Sequence, residues 1–145
     1  MDITEVRIKL MNGKEDGCNG RLQGFASVTF EDSFVVRDLK VIEGTKGPFV
    51  AMPSRKLTDR CPQCSTKNHL RARFCSQCGH KLDENRAVCG QNGRAKLHAD
   101  IAHPINSACR AEIQEAVLKA FHTEVQRSKL PGYMSCYDQY YGDAD

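Results

Sequence analysis

Apolar and polar residues alternate from Asp2 to Met11: Val6, Ile8 and Leu10 fall on one face, and Glu5, Arg7 and Lys9 on the other. A period of two marks a strand with one buried face. Asn12-Gly13 through Asn19-Gly20 supplies turn chemistry and places Cys18 in a loop, where it reads as a surface thiol without a role. Arg21–Phe30 predicts a second strand, with Leu22, Ala26, Val28 and Phe30 on one face. The polar break Glu31-Asp32-Ser33 leads into a third strand, Phe34–Ile42. So short a connection predicts an antiparallel hairpin. Glu43–Pro48 is another turn, and Phe49–Met52 a short apolar strand closed by Pro53. After a long polar stretch, Arg94–Ile101 reads as extended again. It is expected to return to the sheet and to end at His103-Pro104.

The period then changes. Ile113, Ala116, Val117, Ala120 and Phe121 recur at helical spacing, with Glu112, Gln114, Glu115 and Lys119 off that stripe. Asn106 or Ser107 can cap this amphipathic helix, which runs to about Gln126 and stops before Leu130-Pro131-Gly132. Cys109, one turn before Ile113, reads as a packed core thiol. The last thirteen residues hold four tyrosines and three aspartates with no clear period. They are expected to fray or to fold back on the domain. The fold class is therefore α+β: a small antiparallel β-sheet followed by a C-terminal α-helix.

Composition sets bounds on this picture. The 145 residues suit one small domain with an embedded module, and 40% hydrophobic residues without tryptophan allow only a modest core. A metal or a partner chain would help so small a core. No run of eighteen apolar residues occurs, so no membrane partner is expected. The start Met1-Asp2-Ile3-Thr4-Glu5 has neither a basic nor an apolar signal region, and no secretory signal is expected. Eight cysteines without such a signal, four of them in a metal-ligand pattern, point to a reducing, cytoplasmic setting rather than a disulfide scaffold.

The net charge of +3 is unevenly spread. Between Ser54 and His98 there are ten lysines and arginines against three acids, a local charge of +7 that leaves −4 for the remainder. A concentrated positive field attracts polyanions, nucleic acid first. A solvated, solubilising loop is the plainer reading.

Within that basic stretch stand Cys61-Pro62-Gln63-Cys64 and Cys75-Ser76-Gln77-Cys78, ten residues apart. Two such turns supply four soft sulfur ligands in a tetrahedron, the arrangement preferred by one structural Zn²⁺. Gly79 allows the backbone to curl around the second pair. Two free or redox-active pairs are the alternative, but a thioredoxin-like motif is a single pair in a βαβ setting. His69, His80, Cys89 and His98 are lesser candidates as ligands, since four cysteines already close a site. Asn68, Ala72-Arg73-Phe74 and Gly79-His80-Lys81-Leu82 beside the cysteines resemble small zinc-ribbon modules. Such modules bind nucleic acid or proteins and are rarely catalytic. Lys67, Arg71 and Arg73 lie where a ribbon would offer them to phosphates.

A second resemblance lies outside the ribbon. The segments Asp2–Ile8, Ala26–Thr29, Phe34–Gly44, Gly47–Lys56 and Asp100–Ser107, with Arg110 and Ile113–Val117, resemble the SpoVG family of stage V sporulation protein G and septation regulators. The phrases Phe49-Val50-Ala51-Met52-Pro53-Ser54 and Asp100-Ile101-Ala102-His103-Pro104-Ile105-Asn106 are the most specific part of it. The resemblance implies a homodimer that binds DNA, and RNA besides, with a role in septation or sporulation and gene expression. Carried over by position, the contacts it implies are Arg55, Lys56, Ser107 and Arg110. A helix start offers free N–H groups to a phosphate, and Arg110 there suits a bound anion better than it suits the helix dipole. Pairing of Arg110 with Asp100 or Gln114 is the alternative. The family's loop between the two phrases is short, whereas here Leu57–Ala99 intervenes.

The expected organisation is thus a sheet-and-helix domain of residues 1–56 with 98–128, an inserted zinc ribbon in a loop between strands over 57–97, and a tail over 129–145. His98, Asp100 and His103 do not match the metal-and-acid order of a deaminase, and no other catalytic set is visible, so no enzyme and no small-molecule substrate are expected. A protein-interaction adaptor is the competing reading to nucleic-acid binding. A metal-dependent hydrolase would need an open metal position.

Overall fold

The computed structural model describes residues 1–11, 20–87, 89, 93 and 95–138. The glycine-rich turn with Cys18, residue 94 at the head of the expected returning strand, and residues 139–145 of the tail lie outside them. By contacts the chain divides into two units, Met1–Pro53 with Ala102–Asp145, and Ser54–Ile101.

In the first unit, β1 (Ile3–Leu10), β2 (Leu22–Phe30), β3 (Phe34–Gly44) and β4 (Gly47–Ala51) form one antiparallel sheet in the order β1-β2-β3-β4. Strand alternation turns Ile8, Ala26, Val28, Leu39, Val41 and Val50 to one side. There they pack with Met52 and with Ile113, Val117 and Phe121 of helix α1 (Ser107–Ser128). Val117, Val41 and Ala26 are fully buried. This is the expected α+β arrangement of antiparallel sheet and C-terminal helix. Asn106 is the N-cap: its side-chain oxygen accepts from the Cys109 N–H at 2.8 Å.

Two backbone features shape the sheet. At Gly24 a Cβ would stand 2.7 Å from the Lys9 carbonyl oxygen, so β1 and β2 can approach only over glycine. On β3, Ala26 pairs with Leu39 but Val28 with Val36, leaving Arg37 and Asp38 together opposite Ser27. This is a β-bulge, and Asp38 adopts the left-handed conformation at φ 64°.

The helix stripe carries one residue that its spacing does not predict. Glu124 follows Phe121 on the buried side and is itself 5% exposed. Its carboxylate accepts from the Tyr133 hydroxyl at 2.5 Å and from Arg127 Nη1 at 2.8 Å, so the charge is paired rather than stranded. The chain after α1 therefore folds back through Tyr133.

In the second unit, β5 (Ser54–Lys56) pairs with β8 (His98–Asp100), and β6 (Thr58–Arg60) with β7 (Lys67–His69), each antiparallel. The expectation that Arg94–Ile101 returns to the main sheet is corrected here. Only His98–Asp100 is a strand, and its partner is β5. A three-residue strand carries no periodicity that would reveal its partner. Among the described residues no helix is long and apolar enough to cross a membrane.

Burial and the hydrogen bond to Glu124 push the Tyr133 phenol up to about 12. The fold favours the neutral phenol. Its contribution to stability is therefore complete below the ordinary phenol pKa of about 10, and is lost as pH rises through about 12. Tyr133→Phe removes the donor to a buried carboxylate and is expected to cost about 1–3 kcal/mol at neutral pH, read by denaturant unfolding. The variant should also lose one late step from the ultraviolet tyrosinate titration. Unchanged stability and an unchanged titration would contradict this role.

Candidate metal centre and basic surface

The two Cys-x-x-Cys turns fold alike, residue for residue. In the first, the Gln63 N–H points at Cys61 Sγ (3.4 Å), the Ser65 N–H donates to the Cys61 carbonyl (2.9 Å) and the Cys61 N–H to the Thr66 carbonyl (2.9 Å). In the second, Gln77 N–H points at Cys75 Sγ (3.4 Å), Gly79 N–H donates to the Cys75 carbonyl (3.0 Å) and Cys75 N–H to the His80 carbonyl (2.9 Å). The fifth residue of each turn is left-handed, Ser65 at φ 64° and Gly79 at φ 77°. Glycine meets that demand without strain; serine meets it at a cost.

These turns bring Cys61, Cys64, Cys75 and Cys78 together with all four sulfurs within 4.8 Å of one another. Cys61 and Cys78 Sγ are 3.7 Å apart, Cys64 and Cys75 Sγ 3.5 Å. These spacings are far longer than a disulfide, at about 2.05 Å. They are close to the edge of a zinc–thiolate tetrahedron, about 3.8 Å for bonds of about 2.3 Å. The four cysteines could hold a metal ion, and the soft all-sulfur set suits zinc. None of His69, His80, Cys89 or His98 belongs to the cluster of described residues.

Three of the thiols are shifted, and not in the same direction. The Cys78 backbone N–H and then the Asn68 side chain hold Cys75 down at about 5, and the Thr66 hydroxyl lowers Cys64. At Cys78 the His80 backbone N–H also acts to lower the thiol. Desolvation and the three neighbouring sulfurs outweigh it and push Cys78 up to about 12. Four thiolates this close need a positive charge among them, which a divalent cation supplies.

Two polar side chains hold the unit together around the sulfurs. Buried Asn68, on β7, donates to the Thr66 carbonyl (3.1 Å) and accepts from the Ser76 N–H (3.0 Å), tying the first turn to the second. Arg86 pairs with Asp59 and donates to the carbonyls of Ala72 (2.7 Å), Asp83 (2.8 Å), His69 (3.3 Å) and Leu70 (3.4 Å). It belongs to the basic run of the sequence, but its side chain is only 13% exposed and faces inward.

The residues expected to contact nucleic acid fall on both units. Arg55 and Lys56 lie on β5, Lys67 on β7, and Arg71 and Arg73 between β7 and the second turn; all five are exposed. Ser107 and Arg110 are exposed in the first turn of α1, and Arg110 makes no ion pair with a described residue. Sequence reasoning missed Phe74, which stands 58% exposed beside Arg73. His103 is exposed, with Nδ1 3.1 Å from the Pro104 carbonyl.

Arg86→Met keeps the stem of the side chain and deletes every one of these hydrogen bonds. It leaves partly buried carbonyls unsatisfied, which is expected to lower the unfolding free energy of this unit by about 2–4 kcal/mol. Amide hydrogen exchange should show the loss in residues 57–86 and leave the sheet of the first unit protected. Equal protection in both proteins would remove Arg86 from this role.

The SpoVG family profile matches residues 1–123. A relative in Agathobacter rectalis is 36% identical over 126 residues, covering 87% of this chain and 98% of its own length. One in Clostridium beijerinckii is 36% identical over 132 residues, 91% of this chain and all of the relative. Another in Desulforudis audaxviator is 38% identical over 122 residues, 83% and 91% of the two chains. All three are named as septation proteins SpoVG. With the profile and the relatives agreeing over most of its length, the chain belongs to the SpoVG family.

Proposed function

We propose that this protein binds nucleic acid, DNA and also RNA, through the Ser54–Ile101 unit, and that one structural Zn²⁺ on Cys61, Cys64, Cys75 and Cys78 orders that surface. The observation that carries the reading is the placement of Lys67, Arg71, Arg73 and exposed Phe74 on the chain that links the cysteine turns. Cations neutralise phosphates and release their counterions, and an exposed aromatic ring offers a platform for a base. Arg55 and Lys56 extend the positive charge along β5. On the helix, Ser107 and Arg110 stand in the first turn, where the positive end of the dipole favours an anion.

The role is one of binding and regulation, not catalysis, and zinc held by four thiolates has no open position for substrate. Septation, the process in the relatives' names, is the setting proposed for this chain, in the cytoplasm. A second copy is proposed as partner. Phe34 (67% exposed) and Ile105 (91%) stand at an apolar hollow of about 300 Å³ and a neighbouring one in the first unit, where a partner chain would cover them.

Arg71→Glu with Arg73→Glu should lower affinity for a duplex by roughly 30- to 700-fold, at roughly 1–2 kcal/mol for each charge reversed against a phosphate. The log–log salt slope should flatten by about 0.9 for each phosphate that is no longer neutralised. Fluorescence anisotropy across a salt series checks both. Unaltered binding by the double variant would turn the reading toward a protein-interaction adaptor.

A further inference from the structure

The face of the sheet turned away from α1 is basic. Strand alternation opposite Ile8, Ala26 and Val41 sets Glu5, Arg7 and Lys9 of β1, Phe25 and Ser27 of β2, and Lys40 of β3 on it, with Glu5 paired to Arg7. Lys9 pairs with Phe25 and Phe25 with Lys40, so two cations flank one aromatic ring in a row across three strands. The bulge adds Arg37 to the neighbouring row, opposite Ser27. Exposed Lys40 makes no ion pair with a described residue.

The last described residues of the chain, 136–138, reach this face. Arg7 Nη1 donates to the Cys136 carbonyl at 3.3 Å, carrying the segment across the edge strand β1. The next residue, Tyr137, is 3% exposed. Its hydroxyl donates to the Asp38 carboxylate (3.1 Å) and accepts the Asp38 N–H (3.3 Å), the amide that the bulge frees from the ladder. The Arg37 guanidinium lies over its ring, 5.0 Å from the centroid. One residue on, Asp138 places its carboxylate 3.7 Å from Lys9 Nζ and 3.6 Å from Arg37 Nη2.

A flat ring stacked on a guanidinium, followed one unit along the chain by an anion between two cations, is the chemistry by which single-stranded nucleic acid is held. We propose that this sheet face is a second binding surface, for single-stranded nucleic acid, and that Tyr137 and Asp138 occupy it as an internal stand-in for one nucleotide. The base would replace the Tyr137 ring on Arg37, and its phosphate the Asp138 carboxylate between Lys9 and Arg37. Phe25 and Lys40 continue the row for the next nucleotide. The Asp138 pairs are exposed and weak, so the acidic end is exchangeable. Duplex DNA has no free ring to stack, so the surface selects single strands.

The test is anisotropy of a labelled single-stranded oligonucleotide with the full chain, with a chain ending at Cys136, and with the full chain carrying Asp138→Lys. The shortened chain should bind about tenfold more tightly, the effect of gaining one stacked base. Asp138→Lys, which keeps Tyr137 in place, should give a smaller gain in the same direction. Lys9→Glu with Arg37→Glu should cancel the gain in the shortened chain. A duplex of the same sequence should show no gain. The proposal is overturned if shortening does not tighten binding, if the gain survives the Lys9 and Arg37 reversals, or if polyglutamate gains as much as the oligonucleotide. The Ser54–Ile101 surface is scored separately. Loss of full-chain binding on Arg71 and Arg73 reversal with no effect of shortening removes only the present proposal. Indifference to that reversal with a gain on shortening removes only the other.

Discussion

Among its described residues the Ser54–Ile101 unit has almost no apolar interior: the buried cluster is Cys61, Cys75 and Leu82, with Ala72 packed against them. Its strands are three residues long, and hairpins of that length do not hold themselves together in water. What converges instead is four sulfurs, clasped by two turns of identical hydrogen bonding, with Asn68 between the turns and Arg86 closing the chain behind them. A metal bound to such sulfurs contributes about 10–16 kcal/mol to folding, far more than one leucine and one alanine can. With zinc in place as proposed, the unit is rigid where its arginines and Phe74 must be aimed. Without it, the basic residues are charges on a loose chain.

The first unit solves the opposite problem. One helix covers one face of a four-stranded sheet, and the core on that side is continuous from Ile8 to Phe121. The other face is left to Arg7, Lys9, Phe25 and Lys40, and the tail partly covers it through Tyr137. The bulge at Arg37–Asp38 makes this docking possible. It twists Asp38 into the left-handed region and releases the amide and carboxylate that grip the tyrosine hydroxyl. Glu124 anchors the start of the same segment through Tyr133. The described part of the segment after the helix thus belongs to the fold, held by polar contacts at Tyr133 and Tyr137.

Much of this was legible in the chain. Alternation gave β1 to β3, helical spacing gave α1 to within two residues of its end, and the cysteine spacing gave the four sulfurs that the structure brings together. The rest was hidden for physical reasons. A three-residue strand such as His98–Asp100 has no period, so its pairing with β5 follows from geometry alone. Arg86 sits in a basic run and looks like its neighbours, although its guanidinium is consumed by four carbonyls and Asp59. Glu124 interrupts an apolar stripe, and its pairing with Tyr133 cannot be read from periodicity. Tyr137 and Asp138 follow no repeat, and their site exists only because of a bulge ninety-nine residues earlier.

The dependence of the basic surface on the four sulfurs is tested most directly by removing the metal. Protein with one zinc per chain is titrated with a chelator while oligonucleotide binding, metal content and far-ultraviolet dichroism are followed together. The zinc-ordered surface requires that binding fall in step with zinc release, that the sheet-and-helix signal persist, and that added zinc restore binding. Full binding after all zinc has left would contradict it.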